Sequence, residues 1–442
     1  MTEVVNQAHE SKSVFDITAL LERPACLIGD DQWWECIKRE GLPLIASKWE
    51  DHCEVIFLWR GDTARSDSLT KQVYIDIIGI TDHHSFDMKK LKRIEDTDVW
   101  WYKVNVKNAW RCGYAFIPVQ QDMVQPQYLG SYSEKKEMHR RWLRSIFPLS
   151  CSDPLNPLSL SKCQWSETKS PLHMPDALPQ KEWQCFDEGS ESSHHTFDRV
   201  YTWESDILGR SRSVWLYSTS SSQQQAEIPT VLILDGGFWC QEMPLFDALQ
   251  KATDSGVLPA SNYVFIDEVN LEQRKLDLGC SADFWQAISQ ELLPTLARQF
   301  KFSLEPAHTA VVGQSLGGLS AMYAVLNWPE NFGAAVCQSG SFWWPDFSIV
   351  KPPSEYSPPK CKTLLSEMSK DLASGLGSNV SLNLFMEVGS GEDIMIDLSN
   401  DIAMQLSQQQ NHNLQYRIFD GGHDRLCWRG GIIDGLSHVL KR

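Results

Sequence analysis

The chain has 442 residues, of which 42% are hydrophobic and 22% charged, and it carries a formal net charge of −17. That length exceeds the size at which a single core usually stops growing, and the composition excludes global disorder, so two folded domains are expected. The acidic balance excludes nucleic acid and anionic membranes as partners, since both require clustered cations. The opening stretch MTEVVNQAHESKSVFDITALLE lacks a basic segment followed by an apolar one, and no apolar run reaches the length of a membrane span. The 12 cysteines are scattered, with no CxxC pair and no zinc-like spacing, so reduced thiols and a cytoplasmic location are expected.

In chain order, the first half carries strand signals. Residues 54–59 (EVIFLW), 72–78 (QVYIDII), 99–106 and 113–119 (GYAFIPV) are short runs rich in aromatic and β-branched side chains, separated by Gly, Asp and Asn. Such spacing predicts an antiparallel β-sandwich over residues 1–150. At 148–157 (PLSCSDPLNP) the pattern gives way to Pro, Ser and Asn, and 151–196 reads as a linker. A catalytic domain is expected over 197–442. It opens with a hairpin from 200–203 and 214–217, followed by a short Ser/Gln run at 218–225. Apolar strands at 230–234, 263–267, 309–312, 334–338, 382–388 and 415–419 then alternate with amphipathic stretches such as 283–300 and 319–327. Short buried strands alternating with helices predict an α/β fold with a mostly parallel sheet covered on both faces.

Within that pattern, Gly313-Gln314-Ser315-Leu316-Gly317 follows the strand TAVV and precedes a helix. A serine between glycines at a strand-to-helix turn is the nucleophile elbow of α/β-hydrolases, whose strained backbone presents the hydroxyl. A serine hydroxyl needs a base, and the hydrolase order places the histidine after the last strand. Of the 12 histidines, His423 in Gly421-Gly422-His423-Asp424 lies there. His83 and His84 fall in the first domain, His194 and His195 precede the catalytic fold, His308 sits at the wrong end of the elbow strand, and His412 and His438 fall at or in helices. The acid should follow the penultimate strand, where Glu392 and Asp393 compete, with Glu392 favoured and a Ser–His dyad as the third possibility. The oxyanion hole calls for two backbone N–H groups: Leu316, next to the nucleophile, and Gly237 in the loop after VLIL.

The segments VVGQSLGGLSAMYAVLNWPENFG, QSGSFWWP and DGGHDRLCWRGG resemble the enterochelin (enterobactin) esterases, of the esterase-D branch of the α/β-hydrolases. The likeness extends back through LDGGFWCQEMP and SADFWQAISQELLP to GITDHHSFDMKKLKRIEDTDVW and SDPLNP, leaving out the opening residues and the linker. It implies an immunoglobulin-like first domain and no cofactor. It also implies hydrolysis of the trilactone esters of enterobactin, with ferric ion entering only as part of the substrate. The products would be 2,3-dihydroxybenzoylserine oligomers and monomers, and ring opening would release the iron inside the cell. The family's acid position falls on Glu392, and many members carry a longer polar side chain where this chain has Gly237.

A ferric tris-catecholate is an anion with aromatic faces, so an acidic protein must offer local cations and flat surfaces. Arg274, Arg425 and Arg429 are the expected anion-binding set, with Trp239, Trp343, Trp344 and Trp428 as aromatic walls. A generic carboxylesterase or thioesterase of the same branch, or a non-catalytic siderophore-binding protein on this fold, are the competing expectations.

Overall fold

The computed structural model describes residues 19, 21–24, 26–62, 69–158, 168–189, 197–220, 228–346 and 366–441. His194, His195 and most of the Ser/Gln run lie outside these residues. The chain divides into two compact units, Met1–Ala177 and Leu178–Arg442.

Among the described residues the first unit holds seven strands: β1 (Leu44–Lys48), β2 (His52–Arg60), β3 (Gln72–Ile77), β4 (Lys92–Arg93), β5 (Val99–Lys107), β6 (Arg111–Val119) and β7 (Ser170–His173). They pair antiparallel in a four-stranded sheet, β1-β2-β5-β4, and a three-stranded sheet, β3-β6-β7. Val55 and Phe57 of β2 and Trp100 of β5 share one buried cluster with Val73 and Ile75 of β3 and Tyr114 and Phe116 of β6. Burying an inward stripe from each sheet is what the alternating aromatic and β-branched residues provide.

Among the described residues the unit also contains the helices Asp31–Glu40 and Tyr132–Ile146, which the strand-dominated reading of the sequence did not include. Asp31–Glu40 is capped by Asp30, which accepts the Trp33 N–H, and it buries Trp33, Trp34 and Ile37. Tyr132–Ile146 opens with a capping box between Ser131 and Glu134.

The boundary also differs from the expected linker at 151–196. Strand β7 pairs with β6 from Arg111↔His173 to Tyr114↔Ser170. Its Pro171 weakens the strand signal but is tolerated at a sheet edge. Asp153 is fully buried beneath this strand, its carboxylate accepting from the Tyr114 hydroxyl at 2.7 Å and the Leu155 N–H at 2.8 Å.

The second unit carries β8 (Arg199–Ser205), β9 (Arg210–Ser218), β10 (Thr230–Ile233), β11 (Asn262–Ile266), β12 (Thr309–Gln314), β13 (Ala334–Gln338), β14 (Asn383–Gly389) and β15 (Asn413–Phe419). Their order is β15-β14-β13-β12-β10-β11-β9-β8. The six strands β10 to β15 run parallel, and the β8–β9 hairpin joins antiparallel through β9. Strands β10 to β13 are buried throughout, as expected where helices cover both faces.

The chain leaves β10 for β11 on one side and returns to β12 on the other. The loops after β10 and β12 therefore part at a switch point, the place where open α/β sheets bind ligands. The long amphipathic stretch near 283–300 is helical from Ala282 to Phe300 but opens into a π-type turn at Ile288–Leu292. Pro294, just beyond, lacks the N–H of a regular turn and its ring crowds the carbonyl four residues back.

Burial pushes the Asp153 carboxyl from its ordinary 3.8 up to about 6, against the hydrogen bonds it accepts. The folded chain therefore keeps a proton that the unfolded chain has released between about pH 4 and 6. Stability referable to this group falls as pH rises through that window, by about 3 kcal/mol. Urea unfolding of wild type and Asp153→Asn at pH 4 and pH 7 measures it: the variant should gain on wild type by that amount at the higher pH.

Candidate active site

Strand β12 ends at Gln314, and the helix Leu316–Asn327 begins two residues later. Ser315 joins them at φ 59° and ψ −121°, a conformation that non-glycine residues rarely adopt. The surrounding backbone holds it there. Its N–H donates to the Gln338 carbonyl at 3.0 Å, and its own carbonyl accepts from Ser341 at 3.0 Å and Leu319 at 3.1 Å. A Cβ on Gly313 would come within 2.1 Å of the Gly317 carbonyl oxygen, so only glycine lets this turn close. Leu316, the first helical residue, has an N–H with no acceptor in its own helix. The Ser315 hydroxyl is paired at 3.2 Å with that of Ser341, from the loop after β13.

Two further loops bring His423 and Glu392 together. His423 precedes Asp424, which caps the last helix, Arg425–Val439, by accepting the Leu426 N–H. Nδ1 of His423 bonds Oε2 of Glu392 at 2.6 Å. The Glu392 side chain is 2% exposed, and its other oxygen accepts from the Ser339 hydroxyl at 2.6 Å and the Gly389 N–H at 2.7 Å. Three donors thus meet one buried carboxylate. Trp428 closes the arrangement: its Nε1 donates to Ser339 Oγ at 2.9 Å, and its ring meets the imidazole edge-on at 4.7 Å between centroids. Asp393 is exposed at the head of the helix Ile394–Gln409 and makes none of these bonds. Ser339 and Ser341 were not expected from the sequence. The signal was present, because small polar residues directly after a buried parallel strand occupy the ligand edge of the sheet.

The loop after β10 is held tightly. Asp235 has φ 55° and receives a two-pronged bond from Arg274, the Nη2 arm at 2.7 Å, while Arg274 also donates to the Gln314 carbonyl. A Cβ on Gly236 would lie 2.6 Å from the Ile266 nitrogen, so the loop passes against β11 only as glycine. The Gly237 N–H donates to Oε2 of Glu268 at 3.0 Å.

The expected substrate cations divide. Arg429 is fully buried, with Asp187 bonded to both terminal nitrogens at 2.7 and 2.6 Å and Gln180 to Nε at 2.7 Å. It pins 180–187 to the last helix and has no face left for an anion, a correction to its expected role. Arg274 is committed to Asp235 and 18% exposed. Arg425 remains open: it is 44% exposed, stacks over the Phe238 ring at 3.6 Å and has Glu242 no closer than 3.9 Å.

The tryptophans divide likewise. Trp239 is buried, with Nε1 on Gln314 Oε1 at 3.0 Å, and Trp428 is buried behind the imidazole. Trp343 and Trp344 are half-buried after β13, and Lys275 lies over the Trp344 ring at 5.5 Å. Among the described residues no group of three or more His, Cys, Asp or Glu is placed to hold a metal ion.

Residues 54–183 match the family model of the enterochelin esterase N-terminal domain, and residues 205–439 match that of an esterase. An iron(III) enterobactin esterase of Dickeya dadantii (strain 3937) is 37% identical over 429 residues, 96% of this chain and 95% of that one. The chain belongs to the enterobactin esterase family. The iron(III) enterobactin esterase of Escherichia coli (strain K12) is 34% identical over 94% of this chain and 98% of its own. Among solved structures, the enterobactin esterase of Shigella flexneri crystallised in the presence of enterobactin superposes with a TM-score of 0.76. It is 32% identical over 94% of this chain and 99% of that one. The ferric enterobactin esterase of Salmonella typhimurium gives 0.77 at 33% identity over 93% and 98%.

Removing one partner of a buried ion pair strands the other, which costs about 3–5 kcal/mol. Arg429→Met should lose that much in chemical denaturation. Arg425→Met, which gives up a partly exposed cation–π contact and a long, exposed ion pair with Glu242, should change by about 1 kcal/mol or less.

Proposed function

We propose that this enterobactin esterase family member hydrolyses the trilactone esters of ferric enterobactin, with Ser315 as nucleophile, His423 as general base and Glu392 as the acid of the triad. The observation that carries this reading is the 2.6 Å bond from a buried Glu392 carboxylate to His423 Nδ1, set beside a strained elbow serine. A carboxylate on Nδ1 keeps the proton there and leaves the Nε2 lone pair as the base. The substrate class is supported by relatives named iron(III) enterobactin esterase and by related structures determined with enterobactin and 2,3-dihydroxy-N-benzoyl-serine.

In the resting arrangement the Ser315 hydroxyl bonds Ser341. In the proposed step the hydroxyl exchanges that partner for His423 Nε2. The imidazole then takes the proton as Oγ attacks the ester carbonyl, and Glu392 stabilises the imidazolium. The Leu316 and Gly237 N–H groups receive the oxyanion, each such donor lowering the barrier by about 3 kcal/mol. His423 returns the proton to the departing serine hydroxyl. Water repeats the sequence on the acyl-enzyme, yielding a carboxylate and free Ser315. Opening the ring separates three catechols that the lactone held together, which weakens their joint hold on iron.

Arg425 is the cation best disposed for the anionic ferric complex, Arg274 contributing through the loop it braces, and Trp343 and Trp344 offer the flat surfaces. The two antiparallel sheets of the first unit support an immunoglobulin-like reading of that domain. No helix of the described residues is long and apolar enough to cross a membrane. A cytoplasmic location, with action after uptake, is the reading that the likeness to iron(III) enterobactin esterases supports.

Chromatography of products after incubation with ferric enterobactin tests the reading. Wild type should release dihydroxybenzoylserine species, and Ser315→Ala should lose about 10⁴-fold or more in rate. Hydrolysis of simple esters without cleavage of the siderophore would reject the substrate. Glu392→Gln should lower kcat by roughly 10³–10⁴-fold and Asp393→Asn by less than about twofold. Arg425→Gln should raise KM about tenfold for the ferric form and about twofold for the iron-free form; equal effects would reject its role in anion binding.

A further inference from the structure

Glu268 has no part in the mechanism above, yet it holds one of the two proposed oxyanion donors. It lies in the turn after β11, followed by Val269 at φ 64°, a left-handed conformation that is strongly disfavoured for a β-branched residue. The turn is fastened on both sides: the Val269 N–H donates to Asp267 Oδ1 at 3.0 Å and the Asn270 N–H to the Glu268 carbonyl at 2.7 Å. The Glu268 carboxylate is thereby set on the Gly237 N–H at 3.0 Å. A Cβ on Gly237 would sit only 3.0 and 3.1 Å from its two oxygens, so the glycine also makes room for it. Burial raises the Glu268 carboxyl above its usual range, with Asp235 and Asp267 acting in the same direction.

The reaction changes the charge of the acyl group at this spot. An ester and water become an alcohol, a carboxylate and a proton, so a neutral carbonyl enters the hole and an anion remains. A product carboxylate competes for the same N–H groups, and an undefended hole would retain it.

We infer that Glu268 is a specificity-determining residue: its carboxylate yields the Gly237 N–H to the reacting ester and, as a like charge, expels the carboxylate product, at the expense of part of the stabilisation that the same N–H gives the oxyanion. This rests on ester hydrolysis at Ser315 with Gly237 as donor. For a cyclic trilactone the discrimination has a direction, because the intact ring bears no carboxylate and each cut creates one.

Glu268→Gln keeps the size and an accepting oxygen but removes the charge. Inhibition of 4-nitrophenyl ester hydrolysis by 2,3-dihydroxybenzoylserine and by its neutral carboxamide is measured on wild type and variant at pH 7.5 and fixed salt. The acid should bind the variant about tenfold more tightly while the amide changes less than about twofold. An unchanged constant for the acid, equal shifts for acid and amide, or no inhibition of either protein would overturn the inference. Should the Gln variant melt early, Glu268→Ala is judged by the same comparison. Failure of the siderophore reading shows separately, as a wild type that cleaves the nitrophenyl ester but not the trilactone.

Discussion

Four neighbouring parallel strands end at the site, and a chain of buried polar side chains ties those ends together. Trp239 Nε1 donates to Gln314 Oε1 at 3.0 Å, and Gln314 Nε2 to Gln338 Oε1 at 2.8 Å. Gln338 Nε2 donates to Glu387 Oε1 at 2.5 Å, and Glu387 Oε2 accepts from Arg417 at 2.8 Å. Gln314, Gln338 and Glu387 are each 2% exposed or less, so every one of these groups would be costly if left unpaired. Burial raises the Glu387 carboxyl, with the Arg417 charge opposing, which makes the guanidinium a condition of the buried anion. The chain runs from the loop after β10 through β12, β13 and β14 to β15, and the loops that carry Gly237, Ser315, Ser339, Glu392 and His423 spring from those anchored ends.

What rests on this frame is local strain in defined places. Ser315, Asp235, Ser339 and Asp393 all have positive φ at the strand ends or the turns that follow them, conformations that persist only where neighbours over-determine them. Arginines supply part of that determination. Arg274 braces the β10 loop through Asp235 and reaches the Gln314 carbonyl beside Ser315. Arg429 fastens the last helix to 180–187. Arg274 and Arg429 are thus spent on the protein's own carboxylates, whereas Arg425 keeps an exposed face.

The catalytic unit was legible because its signals are local and repeated. Each apolar run became a strand within a residue or two of its expected limits, GQSLG sat between strand and helix, and His423 followed the last strand. Glu392 was the favoured acid, although Asp393 also follows β14. Packing separates them, burying one under Ser339 and leaving the other in solvent. Arg429 misled because a charge close in sequence to His423, the candidate base, looks functional until its partners, some 240 residues earlier in sequence, are seen. In the first unit the helix at Tyr132–Ile146 was announced by Ser131 and Glu134, whereas β7 had too few residues and a proline against it.

The amide chain also has a polarity. An indole can only donate and an ionised carboxylate can only accept, so Trp239 at one end and Glu387 at the other fix which way both glutamines face. The last helix passes so close that a Cβ on Gly431 would fall 1.9 Å from the Glu387 carboxylate. Trp239, Gln314, Gln338, Glu387 and Gly431 therefore form one unit of inheritance: a drifting sequence can replace them together but not singly, because each lone change inverts a donor, orphans an acceptor or overlaps an atom.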